Sequence, residues 1–148
     1  MLTDDQIQDL IDQDYGPQFF VWRMDPTNDP EDLSAFFDEC IMSDLDERVL
    51  ALMVEDDLYY SDAEKAIDND DWLVLTDDEA DSLASECAES YVDDALQEIP
   101  DHLQRYFDAD LYCSDVLNDG RGHLLAYWDE CEREQTISRT TYYLYRRN

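Results

Sequence analysis

Carboxylate is the reactive group this chain holds in excess. Forty of its 148 residues are Asp or Glu, against nine Lys and Arg and two His. Two neighbouring carboxylates can serve as acid and base, but such chemistry needs one member tuned away from the rest by its surroundings. With acids this dense, close pairs arise everywhere and mark nothing, so the sequence assigns no catalytic residue. His102 and His123 read as surface or satisfied structural residues. Cys40, Cys87, Cys113 and Cys131 are widely spaced and form no CxxC pair, so they carry neither a zinc knuckle nor a redox motif. The densest acid lies in Asp68–Asp81, DNDDWLVLTDDEAD, where seven of fourteen residues are acidic. Read as a calcium loop, this segment has acids at the first, third and twelfth positions. Its fifth and sixth are Trp72 and Leu73, where an oxygen ligand and a turning Gly are needed. P-loop, GxGxxG, GxSxG and HExxH patterns are absent. No metal and no cofactor is expected.

What remains is the field itself. The formal net charge is −31. Residues 1–119 hold 36 acids and four cations, giving −32, while residues 120–148 hold four acids and five arginines, giving +1. Self-repulsion on this scale destabilises a compact chain. Duplex DNA carries one charge per ~1.7 Å of axis, so 31 charges equal roughly 50 Å of duplex, about 15 base pairs. A folded chain of this length has a radius of gyration of ~15 Å, so its charge density is comparable. Acids on successive helical turns stand about 5–6 Å apart, near the spacing of phosphates along a strand. The sign of the charge argues against binding nucleic acid directly. A halophilic or solubility role fits the excess of Asp over Glu and Arg over Lys, but such acid would be spread over the whole surface.

The elements that hold these acids follow from periodicity and caps. Apolar content of 44% with eighteen aromatics predicts a folded chain rather than an acidic tail. Thr3 with Gln6 forms a capping box for a helix to about Asp14, ended by Gly16-Pro17. Phe19–Trp22 is expected as a strand or buried extended segment. A second helix from Pro30 to about Met42 and a third from a Ser43 cap to about Leu58 follow. Ser61 with Glu64 opens a short helix to about Asp68. WLVL, Trp72–Leu75, is the core anchor between acid clusters. Thr76 with Glu79 caps the longest helix, about Asp77–Glu98, with Ala80, Leu83, Cys87, Tyr91, Ala95 and Ile99 inward and Glu86, Glu89 and Asp93 outward. One or two short helices are expected over Asp101–Asn118. After the turn Asp119–Gly122, His123–Trp128 and Thr136–Arg147 are read as an antiparallel hairpin joined by a loop near Asp129–Gln135. The prediction is one α+β domain over residues 1–148, mostly helical to residue 118, with a C-terminal antiparallel β-hairpin from 119 to 148.

Three segments carry a resemblance. WLVLTDDEAD (Trp72–Asp81), DGRGH (Asp119–His123) and YYLYR (Tyr142–Arg146) resemble a loose group of small acidic bacteriophage proteins without assigned function. That group carries an LTDEEAD-like segment and ends in a DGRGH…YYIYR hairpin. The resemblance covers roughly the second half of the chain. It implies a phage origin and no catalytic residue. In composition, though not in motif, the chain is similar to antirestriction and anti-CRISPR proteins, acidic DNA mimics that block defence nucleases.

The function expected is a non-enzymatic DNA mimic acting in the cytosol of a host cell. It would occupy the basic surface of a DNA-binding enzyme such as a restriction–modification enzyme or CRISPR effector. The acids expected to carry it are Asp68, Asp70, Asp71, Asp77, Asp78, Asp81, Glu86, Glu89, Asp93 and Asp94, extended by Asp56, Asp57 and Asp62. Trp128, Tyr143 and Tyr145 are apolar anchor candidates, with core packing the favoured place for each. The alternatives are an acidic module acting on another host or phage protein, and a solubility-adapted protein. The acidic N-terminus differs from a basic secretory leader, and no apolar run reaches 18 residues, so no membrane association is expected. Monomer and homodimer both remain open.

Overall fold

The computed structural model describes all 148 residues. Its elements hang on a three-stranded antiparallel sheet of order β1-β3-β2, made by β1 (Trp72–Thr76), β2 (Arg133–Ile137) and β3 (Thr140–Arg146). Side chains alternate across a strand. Trp72, Val74, Tyr142 and Leu144 therefore face one core, while Leu73, Leu75, Tyr143 and Tyr145 face a second. Helices cover both faces. A strand buried on both sides reads as a continuous apolar run, and this is the physical meaning of WLVL.

The larger core lies against α1 (Asp4–Leu10), α2 (Gly16–Met24), α3 (Leu33–Phe36), α4 (Glu47–Asp56) and α5 (Tyr60–Asp68). The smaller is shared with α6 (Asp77–Glu98) and α8 (Arg121–Leu125), with α7 (Ala109–Asn118) packed outside on α6. The predicted capping boxes at Thr3 and Thr76 both form. Gln6 does more than cap. Its Oε1 accepts from the Thr3 N–H at 2.9 Å, and its buried amide donates to the carbonyls of Met53 and Leu58 at 2.7 and 2.8 Å, pinning α1 to the end of α4.

The α+β class with a C-terminal hairpin is observed, but several segments differ from expectation. Gly16-Pro17 does not end the first helix. The chain passes through a π-turn, Ile11–Tyr15, into α2, where Pro17 sits in the first turn and needs no N–H partner. Phe19–Trp22 is thus helical. The next two helices start later than expected, at Asp32 and Asp46 caps, because carboxylates took the backbone N–H groups of Ala35 and Arg48. Ser61 caps nothing; α5 begins at Tyr60 without a side-chain cap. His123–Trp128 is no strand. The partner of β3 is β2, drawn largely from the expected loop, and the two are joined by Ser138-Arg139 with Ser138 at φ 56. That turn has no Gly or Asn to announce it.

Candidate functional site

The acid surface is built on α6. Thr76 Oγ1 accepts from the Glu79 N–H at 3.4 Å, and Glu79 Oε1 accepts from the Thr76 N–H at 3.0 Å. Asp77 and Asp78 stand in the first turn, where the helix dipole favours negative charge. Ala80, Ala84 and Ala88 form the buried stripe at four-residue spacing. Opposite it, Asp78, Glu86, Glu89 and Asp93 are exposed, with no cationic group within 4 Å. Asp94 is exposed and unpaired on the adjoining flank. The helix holds no Lys or Arg, and its last turn carries acid against the dipole. Glu86, Glu89 and Asp93, at spacings of three and four residues, are neighbours about 5–6 Å apart.

Other expected acids behave differently. Asp77 and Asp81 are held by Arg121, whose Nη1 lies 2.8 and 3.0 Å from their Oδ1 atoms. Arg121 Nε also reaches Glu132 Oε1 at 2.8 Å, and the guanidinium lies 4.5 Å from the Tyr143 ring centre. Desolvation lowers the Arg121 pKa, but its bonds to Asp77 and Glu132 outweigh that and raise it. Asp71 is half-buried and tied to the C-terminus. Its carboxylate accepts from Asn148 Nδ2 at 2.9 Å, and its carbonyl accepts from the Arg147 N–H at 2.8 Å. Asp68 is exposed at the end of α5 and Asp70 in the turn before β1, with Asp70 at φ 59. Asp56, Asp57 and Asp62 are exposed in α4, its left-handed C-cap at φ 52, and α5. That places them in the helical layer across the sheet from α6. The thirteen acids thus fall on two layers rather than one continuous array.

Glu79, beside these acids, is neutralised instead. Arg48 Nη1 lies 2.8 Å from its Oε1 and also donates to the Val74 carbonyl at 2.8 Å. Hydrogen bonding to Arg48, then to the Thr76 backbone, pulls the Glu79 pKa down to about 2. Across the molecule only six of the forty acids pair with a cation, all with arginine, so most of the field is uncompensated at close range.

The segment DGRGH is a clasp. Gly120 adopts φ 96, which favours glycine. A Cβ on Gly122 would stand 2.7 Å from the Glu130 carbonyl oxygen and 2.8 Å from the Glu132 nitrogen, so only glycine lets α8 approach that loop. The approach delivers Glu132 to Arg121 and to the Tyr145 hydroxyl, which donates to it. Burial, reinforced by Glu132, holds the Tyr145 pKa far above its usual value.

Tyr145 is fully buried, as expected, and Tyr143 is half-buried. Trp128 is not a core residue. It is 62% exposed beside Tyr127 in the turn after α8, and Arg146 stacks over it at 4.9 Å. Tyr91, expected inward, is 47% exposed. The reason is that no residue from Glu89 to Arg121 is buried: the second half of α6, a 3₁₀ turn (Asp101–Tyr106) and α7 pack mainly on one another. Leu103, Tyr106 and Leu111 are exposed on this arm. Helical spacing marks a face but does not say what covers it, so the arm was not legible.

No three His, Cys, Asp or Glu side chains converge as a metal-ligand set. No helix is long and apolar enough to cross a membrane. No protein-family model, curated protein or solved structure matches the chain.

Proposed function

We propose that this chain is a non-enzymatic acidic mimic of DNA, of phage origin, that occupies the basic DNA-binding surface of a host enzyme. A restriction–modification enzyme or a CRISPR effector in the host cytosol is the kind of target such a surface fits. The observation that carries the reading is the line of unpaired carboxylates along α6. Asp78 and Glu86 project from the half of the helix fixed by a capping box at its start and an alanine stripe beneath, and Glu89 and Asp93 continue the line onto its outer half. Charges held in place this way do not lose conformational entropy on binding as a tail would. A basic cleft would be drawn to this surface by long-range steering that weakens as salt rises.

The test uses tagged protein as bait in host lysate at low salt. A captured DNA-binding enzyme should be released by competing duplex DNA as well as by salt, and its action on DNA should be inhibited by the bait. The quadruple reversal of Glu86, Glu89, Asp93 and Asp94 to Lys should abolish that inhibition while circular dichroism shows the fold retained. Inhibition unchanged by the reversal rejects the reading.

A further inference from the structure

The two edges of the sheet are treated differently. On β1 the outward Val74 carbonyl is taken by Arg48. On β2 no hydrogen bond beyond the ladder to β3 engages the backbone of Arg133–Ile137. The two-residue turn Ser138-Arg139 closes on the pair Ile137 and Thr140, which is the hydrogen-bonded kind in such hairpins. Bonded and non-bonded pairs alternate from there, so the N–H and C=O groups of Thr136 and Glu134 point away from β3. A row of unpaired backbone groups is a template for another strand.

That edge opens onto a cavity of about 310 Å³. Four consecutive residues, Gln135 to Ser138, line it, although their side chains alternate between sheet faces. The cavity therefore meets the strand side-on. Its far wall is apolar, with Leu2, Phe37, Met42 and Leu50 among the lining residues; Asp38 is the sole one with a charged side chain, and Met1, which bears the N-terminal amine, also lines it. Glu134 is exposed on the strand itself.

We infer that the β2 edge and its cavity form a docking site for an extended basic segment of another protein, which adds a fourth strand beside β2. The unpaired backbone groups call for a strand. The cavity calls for one apolar side chain between two that point elsewhere. Asp38 and Glu134 call for Lys or Arg on the flank they face, away from Arg139, which is exposed in the turn at the other end of the edge. A second copy of this chain supplies the wrong charge, at −31. The site lies across the sheet from the exposed face of α6 and does not depend on the mimic reading.

The probe is the peptide Lys-Leu-Lys-Leu-Lys-Leu-Lys, set against an analogue of the same sequence and charge whose alternate backbone amides are N-methylated. Both are measured by anisotropy at about 0.15 M salt, where long-range attraction is screened beyond ~8 Å. The unmodified peptide should bind at least about tenfold tighter, the size of effect expected from losing its ladder bonds. It should shift the amide resonances of residues 134–138. Ser34→Trp, which fills the cavity, and Thr136→Pro, which removes an outward N–H, should each weaken it. Equal affinity for the two peptides, or shifts confined to α6, would overturn the proposal; those results need only the unaltered chain. Dimerisation lost in Thr136→Pro, without peptide binding, would give the edge to a second copy and overturn it too.

Discussion

Single residues here act mostly by where they hold charge. Glu79 is the sharpest case, with its pKa pulled to about 2 from the ordinary 4.5 by Arg48 and the Thr76 backbone. A depressed carboxylate contributes stability that is complete above its unfolded value and lost as pH falls through the folded one. Its effect on unfolding should therefore fade between about pH 4.5 and pH 2, the window its folded value sets. Glu79→Gln should flatten the urea midpoint across that window while leaving its far-UV spectrum unchanged. The pair is partly exposed, so its contribution at neutral pH is modest, about 1 kcal/mol or less. Asp70 is a contrary case. It sits at φ 59 just after α5, where both the backbone and the helix dipole disfavour it. Asp70→Asn tolerates the left-handed conformation and removes the charge, and should stabilise by ~0.3–1 kcal/mol in thermal melts. Gly122→Ala has the opposite sign. Its methyl would meet backbone at 2.7 Å, so a loss of ~2 kcal/mol or more is expected from the displaced Glu130–Glu132 loop.

Among the elements, α6 joins two regimes. Its first half lies on the sheet through Ala80, Ala84 and Ala88, and its second half, with α7, reaches past the core. Acids at three- and four-residue spacing repel by ~0.2–0.5 kcal/mol per pair, and this half has no buried side chain to offset that. The arm, residues 89–121, should open locally well below the global unfolding free energy. Native-state amide exchange should show its amides exchanging first, with the β3 amides last. Protection of Val92–Leu96 equal to that of β3 would refute the point. The same elements show what the sequence could reveal. Both capping boxes, α6 from end to end, and the outward set of Glu86, Glu89 and Asp93 were legible, because caps and helical period are local. Strand β2 was hidden because an edge strand facing solvent reads as polar, and its turn uses Ser-Arg. The pairing of Asp77 and Asp81 with Arg121, forty or more residues away, had no local signal at all.

For the whole molecule, the balance is between two modest cores and a field that pushes them apart. Arginine is spent near the sheet: Arg48, Arg121 and Arg133 account for every Arg–carboxylate pair, and each also lies over an aromatic ring. The cations thus secure the joints between layers, while the outer acids are left uncompensated. Such a protein should be least stable in dilute buffer and gain from ordinary salt. Moving from about 0.01 M to 0.15 M NaCl shortens the Debye length from ~30 Å to ~8 Å, which removes repulsion between acids on different helices but spares the short arginine pairs. The melting temperature should rise by several degrees over that range and then level off, since each kcal/mol is worth ~2–4 °C in a domain of this size. A protein adapted to a saline cytoplasm would instead need molar salt to fold. Folding in dilute buffer with an early plateau would leave the acid without a high-salt rationale. A rise continuing to molar salt, with no structure below it, would remove the reason to assign the field to a partner.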